Sequence, residues 1–374
     1  MLNNIKSTLS RNVTNALGWK TNRKIVVIES DDWGSIRSTQ KSLDVLSTKL
    51  NLEKDYYARF DSLESKEDLL ELYKTLSSVK DKSGNHPVIT ANTILTNPNF
   101  QKIREDKFEK YYFELFTETL EKYYLNDKTW ETWQSGIDEN FIKPQFHGRE
   151  HVNIKFWMEA LRSNDELIKL AFDHEVFGIN SSTSTTKRSN YMATFDFNNQ
   201  KELKSVLANI EDGLEKFVDV FGFESRTIIA PCYVWPNEID DVLLQNNVLG
   251  YQGIPFQYQP QLHKNSYKKR FHYTGQSNSL GIKYLVRNAF FEPTHFGASH
   301  TFEEIMKRAK SAFFWKKPLI IGAHRINFMG SINKENRTKN LELLDVTLKK
   351  LITKYPDIEF MSSDQLVGLM LEKK

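Results

Sequence analysis

A short apolar run, Lys24-Ile25-Val26-Val27-Ile28, leads directly into Glu29-Ser30-Asp31-Asp32-Trp33-Gly34. Consecutive β-branched residues leave no polar face, which fits a strand buried on both sides within a parallel sheet. Two adjacent carboxylates at the mouth of such a strand are costly unless something compensates their charge. Taken alone, the pair reads equally well as a solvated turn or helix N-cap, to which Asp and Ser are suited, or as a cation site.

The rest of the chain extends the pattern. Strand-like segments at 24–29, 87–92, 142–147, 175–179, 226–231, 248–253, 282–290, 318–323 and 357–361 alternate with helical patterns near 40–50, 64–80, 101–124, 152–172, 201–221, 237–247, 301–315 and 334–354. In the last helix, Leu341, Leu344, Leu348 and Leu351 fall on one stripe. This alternation predicts an α/β fold, a parallel sheet or barrel with helices outside. Chemistry in such folds collects at the C-terminal ends of strands. Reactive side chains stand at those ends: Asp31 and Asp32, His147, the stretch Pro231-Cys232-Tyr233-Val234-Trp235, Arg287 and Asn288, and His324 with Arg325.

The stretch His147-Gly148-Arg149-Glu150-His151 carries two histidines four apart. On a helix or helix-start turn this spacing puts both imidazoles on one face, and Ile154, Trp157 and Leu161 continue an apolar face behind them. A helix beginning near Gly148 is therefore expected. The bland alternative is a solvated surface pair. Adding Asp32 gives two His and one carboxylate, a three-ligand set with an open position that suits catalytic Zn²⁺, and less often Fe, Co or Ni.

These motifs, in this order, resemble those of the polysaccharide deacetylase family (carbohydrate esterase family 4, the NodB-homology domain), across roughly residues 24–361. They are Asp31-Asp32, the His147/His151 pair, Ala230-Pro231-Cys232-Tyr233 and the late His324. The resemblance implies an incomplete (β/α)7 barrel, here with helical insertions near 40–86, 98–140 and 180–200. It implies Asp31 as general base, His324 as general acid, and Asp32, His147 and His151 as ligands of one divalent metal ion, Zn²⁺ by preference. Trp33, Pro231, Tyr233, Trp235, Arg287 and Asn288 are the candidate substrate contacts. For Trp33, Tyr233 and Trp235 a packing role is the equal alternative. His295 and His300, flanking Gly297, are weaker candidates for the site.

Departures from the family pattern are specific. The usual Thr-Phe-Asp-Asp-Gly run has Glu29-Ser30 before the pair, and Trp33 separates it from Gly34. The Arg that normally precedes the Pro of the third motif is Ala230, leaving Arg226, Arg287 and Arg149 as substitutes. The Asp-x-x-Asp-Trp motif has no counterpart. The last motif reads Gly322-Ala323-His324 rather than Leu-x-Leu-His.

Composition narrows the function classes. The 374 residues can bury a sizeable core, and 39% hydrophobic with 26% charged residues is a globular composition. A net charge of +3, from 51 basic and 48 acidic residues, argues against a dedicated nucleic-acid surface. No P-loop or GxGxxG fingerprint supports nucleotide chemistry. Cys232 is the sole cysteine, so no internal disulfide forms, and it reads as a small packing residue. Residues 1–23 lack the apolar run of a secretory signal, and no stretch approaches the ~20 apolar residues of a membrane span. Leu2, Ile5, Leu9, Val13 and Leu17 instead suggest an amphipathic segment packed on a single domain spanning 24–374, with weak membrane-surface contact through residues 1–20 as the alternative. A cytoplasmic location is the default expectation. The leading expectation is a metal-dependent deacetylase acting on an N- or O-acetylated sugar or polysaccharide precursor. The alternatives are hydrolysis of a non-sugar amide or cyclic imide, and a carbohydrate-binding barrel that has lost turnover.

Overall fold

The computed structural model describes residues 12, 14–50, 55–178, 191–262, 264 and 266–372. Leu2, Ile5, Leu9 and Val13, and part of the expected 180–200 insertion, lie outside them. Thirteen strands are present among the described residues: β1 (Lys24–Trp33), β2 (Ile89–Ile94), β3 (Thr96–Pro98), β4 (Phe113–Leu115), β5 (Ile142–Gly148), β6 (Thr227–Ile229), β7 (Gly250–Gly253), β8 (Phe256–Pro260), β9 (Tyr267–Phe271), β10 (Lys283–Val286), β11 (Ala289–Phe290), β12 (Leu319–His324) and β13 (Ile358–Met361). The main sheet runs β10-β7-β6-β5-β2-β1-β12-β11, with β13 also paired to β1, and every pairing is parallel. No pairing joins β10 to β11 among the described residues, so the curled sheet is an incomplete (β/α) barrel.

The alternation of β1 explains how the interior is layered. Val26 and Ile28 join the large cluster that includes helix 334–354 through Leu341, Leu344, Leu348 and Leu351. Ile25 and Val27 face the other way and pack with Leu285 and Ile320 against Leu366, Val367 and Met370 of the helix Ser363–Leu371. Glu29 follows on this inner side and accepts from Ser363 Oγ at 2.8 Å. The interior therefore passes from an apolar floor to a polar layer as it nears the C-terminal ends of the strands.

Most expected strands appear, shifted by up to four residues at their ends, and the expected strand 282–290 is two, β10 and β11, at opposite edges of the sheet. Segment 175–179 does not appear: residues 176–178 are irregular, and the chain leaves the helix Glu166–Asp173 without joining the sheet. The expected helix 101–124 is two helices, Phe100–Glu105 and Phe116–Tyr123, divided by β4, which pairs antiparallel with β3. The antiparallel β8–β9 hairpin was not anticipated. Its polar-interspersed aromatics lack the continuous apolar run that marked the barrel strands. No helix among the described residues is long and apolar enough to cross a membrane.

Candidate metal centre

Simple strand alternation would send Asp31 and Asp32 to opposite faces of the sheet. A register shift prevents this. On β1 the pairing with β2 passes from Ser30↔Ala91 to Trp33↔Thr93, so β1 carries one extra residue there. Asp32 itself has φ 75°, a left-handed conformation uncommon for a non-glycine residue and one that turns its side chain toward the site. A second irregularity sits on β5, where Thr93↔Phe146 is followed by Ile94↔Gly148 and His147 is skipped. Both irregularities fall at the ends of strands that carry site residues.

The result brings Asp32, His147 and His151 together, all buried, with one donor atom from each within 4.8 Å of the others. Asp32 Oδ1 lies 3.3 Å from His147 Nε2 and 3.0 Å from His151 Nε2. The expected helix at Gly148 is absent: Gly148 ends β5 with φ 130°, His151 lies in a bend, and the next helix starts at Ile154 with Asn153 as its N-cap. The four-residue histidine spacing thus works through a strand end and a turn.

The donors fit a cation. His147 Nδ1 donates to the Ile229 carbonyl at 2.8 Å, which leaves Nε2 as the ring atom facing Asp32. Burial lowers the His151 pKa to about 4, so this imidazole is a neutral donor. Its buried Nδ1 has no hydrogen-bond partner. The second oxygen of Asp32 accepts from Arg37 at 2.8 Å, leaving Oδ1 for a metal. Burial acts to raise the Asp32 pKa, but Arg37 and then the imidazoles overcome it and hold the carboxyl well below its usual range.

Asp31 has a separate environment. Arg287 grips it with two parallel bonds, Nη1 to Oδ2 at 2.7 Å and Nη2 to Oδ1 at 2.6 Å, and Asn92 donates to Oδ1 at 2.8 Å. The same guanidinium donates through Nε to Glu29 at 2.7 Å. Burial alone would raise the Asp31 pKa; Arg287, followed by His324, brings it down to about 2. The parallel register sets Asp31 opposite His324 on β12, with 3.8 Å between Nε2 and Oδ2. His324 Nδ1 lies 2.6 Å from Glu292, whose other oxygen accepts from Asn327 at 2.7 Å. Burial acts to lower the His324 pKa, but Glu292 and then Asp31 push it up to about 9. The Tyr57 ring packs edge-on against His324, with centroids 5.3 Å apart.

The candidate substrate contacts divide. Tyr233, at φ 57°, stands by the site with its hydroxyl 3.5 Å from Arg287 Nη1, and Pro231 precedes it. Trp33 is fully buried, edge-on to Trp133 and donating to Ser30 Oγ, so it is core rather than a cleft wall. Trp235 is likewise packed, stacked on Tyr251 at 5.3 Å. Asn288 is buried and tethers Asn15, the Pro318 carbonyl and the Ile320 amide, so it clamps the start of β12 and does not face the site. Arg287 is committed to Asp31 and Glu29. Of the three arginines that could replace the one absent at Ala230, it is the one that contacts the carboxylate; Arg226 is exposed, and Arg149 pairs with Glu150 and Asp212. His295 packs on Tyr56, 5.0 Å between centroids, on the Tyr57 side of the site. Sequence reasoning missed Arg37, Asn92 and Glu292, which no motif marked.

No family model matches the chain, and no curated protein matches it. Several solved structures align with most of the chain at low similarity. A probable polysaccharide deacetylase from Pseudomonas aeruginosa PAO1 is 8% identical with TM-score 0.45, over 93% of this chain and 91% of the other. An allantoinase is 8% identical with TM-score 0.44, over 94% and 91%. A 4-alpha-glucanotransferase from Thermococcus litoralis is 8% identical with TM-score 0.45; the alignment covers 92% of this chain but 40% of that longer protein. The functional argument stands on the site alone.

Proposed function

We propose that this chain is a metal-dependent hydrolase that removes an acetyl group from an N- or O-acetylated sugar or polysaccharide precursor. The observation that carries the reading is the placement, beside the three donors, of Asp31 gripped by Arg287 and His324 held by Glu292, 3.8 Å apart, an arrangement that drives their pKa values to about 2 and about 9. Two facing groups split in this way are suited to acid–base work, one deprotonated and one protonated at neutral pH.

Asp32, His147 and His151 would hold the metal ion, with Zn²⁺ the preferred occupant of a His₂–carboxylate set. When bound, the ion supplies Lewis acidity, polarising the acyl carbonyl and acidifying water in the site. Asp31 would orient the attacking water and accept its proton. Its grip by Arg287 makes it a weak but permanently ionised base. His324, held protonated by Glu292, donates to the departing amine or alcohol. Tyr233 and Tyr57 shape the walls beside these two groups.

The test is acetate release measured across acetylated monosaccharides, oligosaccharides and small non-sugar amides, for the wild type and Asp31→Asn. Turnover on acetylated sugars that the variant lacks supports the proposal. Turnover confined to non-sugar amides, or equal in both proteins, overturns it.

A further inference from the structure

From Val242 to Phe291 the chain contains no Asp or Glu, although it carries 48 of them elsewhere. This acid-free stretch includes the β8–β9 hairpin, whose second strand reads Tyr267-Lys268-Lys269-Arg270-Phe271. The hairpin directly follows β7 at its C-terminal end, on the side of the barrel where the site lies. Tyr258 bridges to Val234, one residue beyond Tyr233, and Gly253 ends β7 against the Tyr233 ring. At its far end Tyr267 donates to Asp196 at 2.6 Å. Asp196 belongs to the same loop as Met192, whose sulfur lies 3.4 Å from Arg37 Nη1. The hairpin therefore connects the Tyr233 side of the site with the loop beside the metal-binding carboxylate.

Its two faces differ. Gln257 is fully buried and donates to the Trp235 carbonyl, so that face is fastened to the barrel. The antiparallel register places Phe256 opposite Phe271 and Tyr258 opposite Lys269 on the other face. Phe256 and Phe271 are 43% and 42% exposed, with ring centroids 5.8 Å apart. Lys269 Nζ sits 5.4 Å over the Tyr258 ring. Lys268 and Lys269 are exposed and form no ion pair among the described residues. Aromatic rings presented to water beside unpaired cations mark a binding surface rather than a structural one.

We propose that this hairpin is an extended substrate subsite that holds an acidic polysaccharide chain, its sugar rings against Phe256 and Phe271 and its carboxylates against Lys269, with Lys268 on the opposite face adding to the local positive charge. The inference rests on the deacetylase reading for the identity of the chain, and on charge complementarity and continuity with the site for its placement. A cationic surface draws in an anionic polymer, and the attraction is sensitive to salt.

The experiment is a calorimetric titration of the full chain with a galacturonate hexamer and, separately, a neutral N-acetylglucosamine hexamer, at low and high NaCl. It is repeated with the double variant Lys268→Glu/Lys269→Glu, whose retained metal content and melting temperature show that it folds. The expected result is at least tenfold tighter binding of the acidic hexamer, lost in the variant and weakened by salt. Equal affinity for the two hexamers, unchanged binding in the variant, or binding only to anionic phospholipid vesicles overturns the proposal. The titration needs no turnover, so absence of acetate release removes the deacetylase reading while leaving the glycan result to stand or fall separately.

Discussion

Replacing Arg287 with Met tests how the base is held. Arg287 is fully buried and ion-pairs with two buried carboxylates, Glu29 and Asp31. Removing it strands both, and breaking a buried pair from one side costs about 3–5 kcal/mol. With an unfolding entropy of about 2.1 cal/mol/K per residue, 374 residues amount to about 0.8 kcal/mol/K, so the melting temperature should fall by about 4–6 °C. The pH dependence is diagnostic. In the wild type the folded pKa of Asp31, about 2, lies below its unfolded value, so its stabilising contribution is present above the unfolded pKa and is lost as pH falls through about 2. In the variant, Glu29 keeps its burial but loses Arg287, so its folded pKa moves further above the unfolded one, and the deficit is largest at pH 8 and shrinks toward pH 5 as that orphaned carboxylate takes up a proton. Thermal unfolding of metal-free protein at both pH values is the assay. A deficit under 1 kcal/mol, or one equal at pH 8 and pH 5, would refute the reasoning. Adding Glu29→Gln to Arg287→Met should recover part of the loss, because one of the two stranded charges is gone.

Elemental analysis of protein purified without chelators should find about one divalent ion per chain, and His147→Ala/His151→Ala should lose it; an ion retained by that variant would reject the donor set. Asp31→Asn should keep the ion while turnover on an acetylated sugar falls by about 10²–10⁴-fold, the usual worth of a general base. Because His324 is pushed up to about 9, its protonated form should support activity at neutral pH and be lost as pH rises through about 9. Glu292→Gln should move that alkaline limb of kcat/KM downward, toward the ordinary histidine value, and an unmoved limb would remove Glu292 as the group that tunes the acid.

The barrel was legible because parallel strands buried on both sides announce themselves as apolar runs, and the polar residues that break those runs mark strand ends. Asp31, Asp32, His147 and His324 stood out in that way, and His151 through its four-residue spacing from His147. What the pattern could not reveal is how backbone irregularities aim them. The extra residue on β1 and the skipped His147 on β5 have no composition of their own, so the histidine pair read as helical when it is a strand end and a bend. Aromatic content misled in the same region: a Trp beside a site motif reads as a cleft wall, yet Trp33 fills the core between Ser30 and Trp133. Glu292 and Asn92 reach the site by tertiary packing alone, and no spacing rule connects them to it.

Three residues around Asp31 are better understood together. Glu29 stands two residues before Asp31. Residues two apart on a strand share a face, so Glu29 and Asp31 present two carboxylates to the same side of β1. An arginine can serve both only by approaching along the strand with its Nε toward one and its terminal nitrogens toward the other, the arrangement Arg287 adopts. It enters from just beyond β10 and lies close over Gly322, where a Cβ would meet Arg287 Cδ at 2.5 Å. The glycine at that point of β12 is therefore what lets the guanidinium lie there. Glu29, Arg287 and Gly322 form a unit: Gly322→Leu should displace the guanidinium and lower stability as Arg287→Met does, with little further loss when the two are combined. Additive losses in that double variant would show that the glycine and the arginine act independently.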